Sequence, residues 1–127
     1  MELGPNQKAW VDALRSGNYQ QGTEVLHSIT NEVSYFCCLG VLCEMNKEHL
    51  DVMVVNRMSR VITEYDHRQS FLPSKLVGAY GFHDDLGLNI VDDEKTLAAL
   101  NDACDYSFSD IADIIEANPE HYFSKEY

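Results

Sequence analysis

One stretch limits what this chain can become. Residues 35–45 read Tyr-Phe-Cys-Cys-Leu-Gly-Val-Leu-Cys-Glu-Met, the most apolar run in the sequence and the place of three of its four cysteines. At about 100° per residue, Phe36, Leu39, Gly40 and Cys43 share one helical face. Cys38, Leu42 and Met45 share a second, and Cys37, Val41 and Glu44 a third. Only Glu44 is charged. A helix apolar almost all round has to be buried, and this run is far short of the ~20 residues that span a bilayer. Leu, Met, Glu and paired Cys also lack the β-branched enrichment of a buried strand. Gly40 costs about 0.5–1 kcal/mol relative to Ala inside a helix. Its presence predicts that another backbone comes close. The expectation is a central buried helix over residues 36–45 with everything else packed around it.

A chain of 127 residues, 45% of them hydrophobic, is long enough for one domain with a real core. The first residues, Met-Glu-Leu-Gly-Pro-Asn-Gln, have neither the basic nor the apolar segment of a signal peptide. The cysteines are therefore expected as free thiols in a reducing cytoplasm.

Local signals place the other elements. Pro5 opens a helix over residues 5–16, with Trp10, Val11 and Leu14 inward and Gly17 as its stop. Residues 18–22 read as a polar loop. Residues 23–29 and 32–35 read as strands around a Thr30-Asn31 turn, and residues 51–55 and 60–65 as a second pair. Pro73 opens a short helix that ends at Gly81, and residues 88–91 read as a short extended piece. Asp92 or Asp93 caps a helix running to Asp102. Ser107 with Asp110 forms a capping box for a helix with Phe108, Ile111, Ala112 and Ile115 inward, ended by Asn118-Pro119. The expected fold class is α+β: a single small domain of about four short antiparallel strands and about five helices.

Charge is distributed unevenly. Residues 1–83 hold nine acidic and seven basic side chains, a net of −2, while residues 84–127 hold twelve and two, a net of −10. Such a field disfavours direct contact with nucleic acid or an anionic membrane and favours a basic protein surface. Asp110, Asp113 and Glu116 line one side of the last predicted helix, and Asp102 and Asp105 precede it. These five are the candidate partner-binding residues. The alternative is a pocket for a small nucleotide, with Arg57, Arg60, Tyr65 and Arg68 as its anion-binding residues.

Other chemistry finds less support. Cys37, Cys38, Cys43 and Cys104 lack a Cys-x2-Cys knuckle, and Cys38 and Cys43 diverge around a helix, so no metal is expected. Cys37 near a helix start, with His27 across the hairpin, has the outline of a thiol nucleophile, but apolar surroundings raise a thiol's pKa. Phosphate-cradling glycine loops are absent. Asp84-Asp85 and Asp92-Asp93-Glu94 lack the spacing of a calcium loop. Residues 107–116 have the inward Ile-Ala of a first helix in a helix-turn-helix, but acidic residues and Pro119 follow where a basic recognition helix should stand. No catalytic residue and no cofactor is expected.

The order of motifs resembles a family of small uncharacterised bacteriophage proteins. The carrying residues are Trp10-Val-Asp-Ala-Leu-Arg-Ser-Gly17, Tyr19-Gln-Gln-Gly22, Cys38-Leu-Gly-Val-Leu-Cys-Glu44 with Tyr35 upstream, Leu72-Pro73, Leu97-Ala-Ala-Leu-Asn-Asp102 and Ser107-Phe-Ser-Asp-Ile-Ala-Asp-Ile-Ile-Glu116. Relatives tend to place basic residues after Gln21-Gly22, where this chain has Thr23-Glu24. The resemblance implies a non-catalytic accessory protein in the cytoplasm of an infected bacterium. It would act by binding: the charge distribution points to a host protein with a basic surface, and the pocket alternative to a nucleotide immune signal, held by a homo-oligomer with pockets between subunits. The resemblance brings no catalytic residues with it.

Overall fold

The computed structural model describes residues 1–57, 60–103 and 105–127. Pro5 sits at the first position of Pro5–Arg15 (α1), where its missing N–H costs nothing. The buried Gln7 side chain accepts from Gly4 N at 2.9 Å and donates to the carbonyls of Tyr80 and Lys125 at 2.8 and 2.7 Å. Both ends of the amide are satisfied, as burial demands. Trp10, Val11 and Leu14 form the buried stripe of α1. Trp10 Nε1 donates to the Cys38 carbonyl at 3.0 Å, which ties α1 to the chain's apolar centre.

Five strands form one sheet: Gln20–Gln21 (β1), His27–Thr30 (β2), Val33–Phe36 (β3), Val52–Arg57 (β4) and Arg60–Tyr65 (β5). Their order is β1-β3-β2-β5-β4, and only β1 with β3 is parallel. β1 lies where a polar loop is expected; Gly22 N donates to Phe36 O at 2.7 Å and draws the segment onto the sheet. The β2–β3 turn is Asn31-Glu32, one residue later than expected. Both residues have positive φ, 51° and 67°, the conformation that matches hairpin twist. β2 begins at His27 instead of Thr23 because the backbone of Leu26 is committed elsewhere: its N–H goes to Gln69 O and its carbonyl to Cys37 N.

The central helix is Cys38–Met45 (α2), two residues shorter at its start than expected. Phe36 stays in β3, and Cys37 is the cap, with its sulfur accepting from Gly40 N at 3.3 Å. Every residue from Cys38 to Cys43 is buried. Gly40 is where a second backbone crosses: a Cβ there would fall inside the Leu26 carbonyl.

A short 3-10 turn, Lys47–His49, leads to β4. Ser74–Tyr80 (α3) ends at Gly81, which has φ 76°. Leu97–Asp102 (α4) starts later than expected, capped by the Thr96 hydroxyl accepting from Ala99 N at 3.1 Å. Asp92 instead holds a turn, and residues 88–91 join no strand; Ile90 N bonds His121 O. Phe108–Ala117 (α5) carries both halves of the Ser107–Asp110 capping box. Asn118 does end α5, but Pro119 opens a further short helix, Pro119–Tyr122 (α6). The fold is α+β, one small domain, with six α-helices and five strands among the described residues. α1 packs on α5 and α2, and α2 on α4. No helix is long and apolar enough to cross a membrane among the described residues.

Candidate functional site: an acidic cleft beside the last helices

The five candidate acids take three different places. Asp113 and Glu116 turn toward α1 and grip the Arg15 guanidinium at 2.7 and 3.1 Å. The hydrogen bonds that Arg15 donates, to Asp113 first and then to Glu116, raise its pKa. Part of the acidic stripe thus joins two helices of the same chain, although the Asp113 side chain is still 70% exposed.

Asp105 and Asp110 open instead into a cleft of about 460 Å³, shared with Gln21, Thr23, Asn101, Tyr106 and Ser107. Asp110 also accepts from Ser107 N at 3.0 Å, so its carboxylate is oriented by the cap. Asp102 tethers a neighbouring loop, accepting from Glu24 N at 2.9 Å. Among the described residues, no Lys or Arg lines the cleft.

Asn101 fixes the floor. Its Oδ1 accepts from Gln21 Nε2 at 3.0 Å and from Cys38 N at 3.1 Å, and its Nδ2 donates to Gly22 O at 2.8 Å. Gln21 donates a second time, to the Tyr106 carbonyl. β1, α4 and the start of α2 therefore meet at one fully buried amide. The sequence reading missed Gln21 and Asn101. The available signal was a polar Asn one position after Leu100, in a helix whose inward face is otherwise apolar.

The arginine pocket does not form. Arg57 and Arg60 face each other at one end of the β4–β5 ladder, while Arg68 bridges Tyr65 at the other end. Each has its own carboxylate: Arg57 with Glu64 at 3.1 Å, Arg60 with Glu24 at 3.7 Å, Arg68 with Asp85 at 2.8 Å. Tyr65 is fully buried and points inward.

Tyr65 belongs to a different arrangement that the sequence did not suggest. Its hydroxyl donates to Glu44 Oε2 at 2.7 Å. The phenol oxygen then accepts from His27 Nδ1 at 2.9 Å, which leaves His27 Nε2 to accept from the Ser34 hydroxyl at 2.8 Å; this direction is assigned from the network. Burial lowers the His27 pKa and keeps the ring neutral. Burial also pushes the Tyr65 hydroxyl up, and the bond to Glu44 pushes it further. For Glu44, burial pushes the carboxyl up, but the hydrogen bonds from Tyr65 and Lys47 outweigh it and hold the group below its ordinary value. The chain of bonds joins α2, β5, β2 and β3.

Cys37, Cys38 and Cys43 are free and buried. Burial pushes the Cys37 thiol up to about 11 and the other two well above their ordinary value. His27 is committed to Ser34 and Tyr65, so it does not serve Cys37. Cys104 lies outside the described residues. Among the described residues, no three His, Cys, Asp or Glu side chains are grouped to hold a metal ion.

No curated protein and no solved structure matches the chain. A family model described as a domain of unknown function matches residues 6–119, from α1 to the opening of α6. With that span covered, the chain belongs to the family described as Domain of unknown function (DUF8296).

Proposed function

We propose that this protein is a non-catalytic bacteriophage accessory protein that counters host immunity in the cytoplasm of the infected cell. It acts by presenting its acidic cleft and the carboxylates around it to a basic site on a host protein. The observation that carries this reading is the cleft itself: Asp105 and Asp110 face into it and, among the described residues, no Lys or Arg lines it. A Lys or Arg of a partner supplies the missing charge, and its N–H groups find further acceptors in the Thr23 and Ser107 hydroxyls. The −10 net charge of residues 84–127 adds long-range attraction. The nucleotide-sequestering alternative depends on converging arginines, but Arg68 lies at the far end of the ladder from Arg57 and Arg60, and each of the three is paired with a carboxylate.

The test measures binding of an oligo-arginine peptide and of a cyclic dinucleotide by calorimetry at low and physiological salt. The parent should bind the peptide, more weakly at the higher salt. Asp105→Asn with Asp110→Asn should lose most of that binding. Equal peptide binding by parent and variant at both salt concentrations, or preference for the nucleotide, overturns the reading.

A second reading rests on the Glu44–Tyr65–His27–Ser34 chain. A neutral imidazole accepting a serine hydroxyl proton is the arrangement that activates a nucleophile. Labelling of Ser34 by a fluorophosphonate, lost in His27→Gln, would support a small enzyme; no labelling leaves the chain of bonds a purely structural link.

A further inference from the structure

β4 stands at the edge of the sheet with β5 as its only strand neighbour among the described residues. Its sequence is Val-Met-Val-Val-Asn-Arg, and Val52, Met53 and Val54 are all exposed, Val54 by 60%. Edge strands in soluble proteins are normally blunted by Lys, Pro, a bulge or a cover. β4 contains no Lys or Pro, and its ladder with β5 runs without interruption from Val52↔Tyr65 to Arg57↔Arg60.

The backbone parity of β4 is readable. Asp66 N donates to Asp51 O at 2.7 Å, so Asp51 points its backbone groups toward β5. By the alternation of an antiparallel ladder, Met53, Val55 and Arg57 do the same. Val52, Val54 and Asn56 then point their N–H and C=O outward, where no strand meets them.

We propose that a second copy of this chain covers β4, strand to strand and antiparallel, about a two-fold axis through Val54. One register uses every outward group: Val54 opposite Val54 of the second copy, and Val52 opposite its Asn56 on both sides of the axis. That same register sets Met53 against Val55 of the second copy, apolar on apolar. It also sets Asp51 against Arg57 of the second copy, and by symmetry Arg57 against Asp51. Opposite charges directly across a ladder stabilise it. A strand carrying one acid and one base at mirror positions is complementary to itself, which is what an isologous interface requires. Arg57 already contacts Glu64 at 3.1 Å, and its guanidinium has donors left for Asp51. Two chains of net charge −12 repel overall, but β4 lies within residues 1–83, whose net is only −2. The inference is independent of the acidic cleft, which lies on other elements.

Sedimentation across a micromolar to millimolar range tests it. The parent should pass from monomer to dimer, and Val54→Lys should stay folded and monomeric. Arg57→Asp should weaken association by at least about tenfold through two lost charge pairs, and adding Asp51→Arg should restore it. Hydrogen exchange supplies the register: the amides of Val52, Val54 and Asn56 should gain protection with concentration, while Met53 and Val55 stay protected throughout. A chain that remains monomeric, a dimer that survives Val54→Lys, or a double variant no tighter than Arg57→Asp overturns the proposal.

Discussion

The two flanks of the central helix handle polar groups in opposite ways. On the sheet side, Glu44, Tyr65, His27 and Ser34 pass hydrogen bonds from one to the next, and each site is largely used inside the protein. On the helical side, Asp105, Asp110, Asp113 and Glu116 stay exposed, and some of their lone pairs remain open to water. The first arrangement suffers the desolvation of burial and returns a fixed geometry between α2 and three strands. The second suffers little desolvation and returns an electric field with open acceptors. Polar groups that build a fold are saturated within it; those free to meet a partner keep capacity in reserve. Asn101 stands between the two, saturated itself yet forming the floor of the open cleft.

The largest test of this contrast strikes the divider. Gly40→Leu should drive a side chain into the Leu26 carbonyl and lower stability by about 3 kcal/mol or more. Thermal melting reads the loss, and an unchanged midpoint would show that α2 does not separate the flanks at close range. Asn101→Ala should come next, at about 2 kcal/mol, because Cys38 N and Gly22 O lose their partner in a buried site. Its cleft should also loosen, so peptide binding should fall with stability. Retained binding in a destabilised Asn101→Ala would separate floor from cleft.

Titration should distinguish the flanks next. His27 has a folded pKa below its ordinary 6.5, so the unfolded chain takes the proton first and stability falls as pH drops below that value. Glu44 is held below its ordinary 4.5. Its contribution is whole above 4.5 and disappears as pH falls through the depressed folded value. Both effects have the same sign. Melting between pH 8 and pH 3 should show His27→Gln flattening the upper part of the decline and Glu44→Gln the lower part. The smallest effect belongs to the exposed flank: Asp113→Asn with Glu116→Gln should lose under about 1 kcal/mol, since exposed ion pairs to Arg15 contribute little. A larger loss, read by denaturant melting, would place the acidic stripe among the structural groups.

What could be read from the sequence followed the range of the signal. Pro5, Gly17 and the Ser107–Asp110 box act within one helical turn, so α1 and α5 were legible nearly to the residue. Gly40 was legible as a close approach because an apolar helix has no other use for it. The start of β2 was not, because Leu26 gives its backbone groups to Gln69 and Cys37, far along the chain. β1 was hidden for the same reason, since Gln21 is held by Asn101 and Tyr106. The burial of Tyr65 beneath the sheet, away from the arginines of the expected pocket, was hidden because strand alternation does not say when both faces are covered. Of the five acids, composition predicted their prominence, but only tertiary packing could assign Asp113 and Glu116 to Arg15 and leave Asp105 and Asp110 in the cleft.

The buried thiols also make the protein a clock. Cys38 and Cys43 are fully covered, and burial disfavours their thiolate forms. An alkylating reagent can reach them only when α2 parts from its neighbours. At high reagent concentration the alkylation rate at Cys38, followed by peptide mass mapping, therefore equals the rate at which the core opens. Every partner that closes on the cleft floor at Asn101, whose side chain holds Cys38 N, should slow that clock, so a ligand can be detected through the protein's own cysteines, with no tag on the ligand.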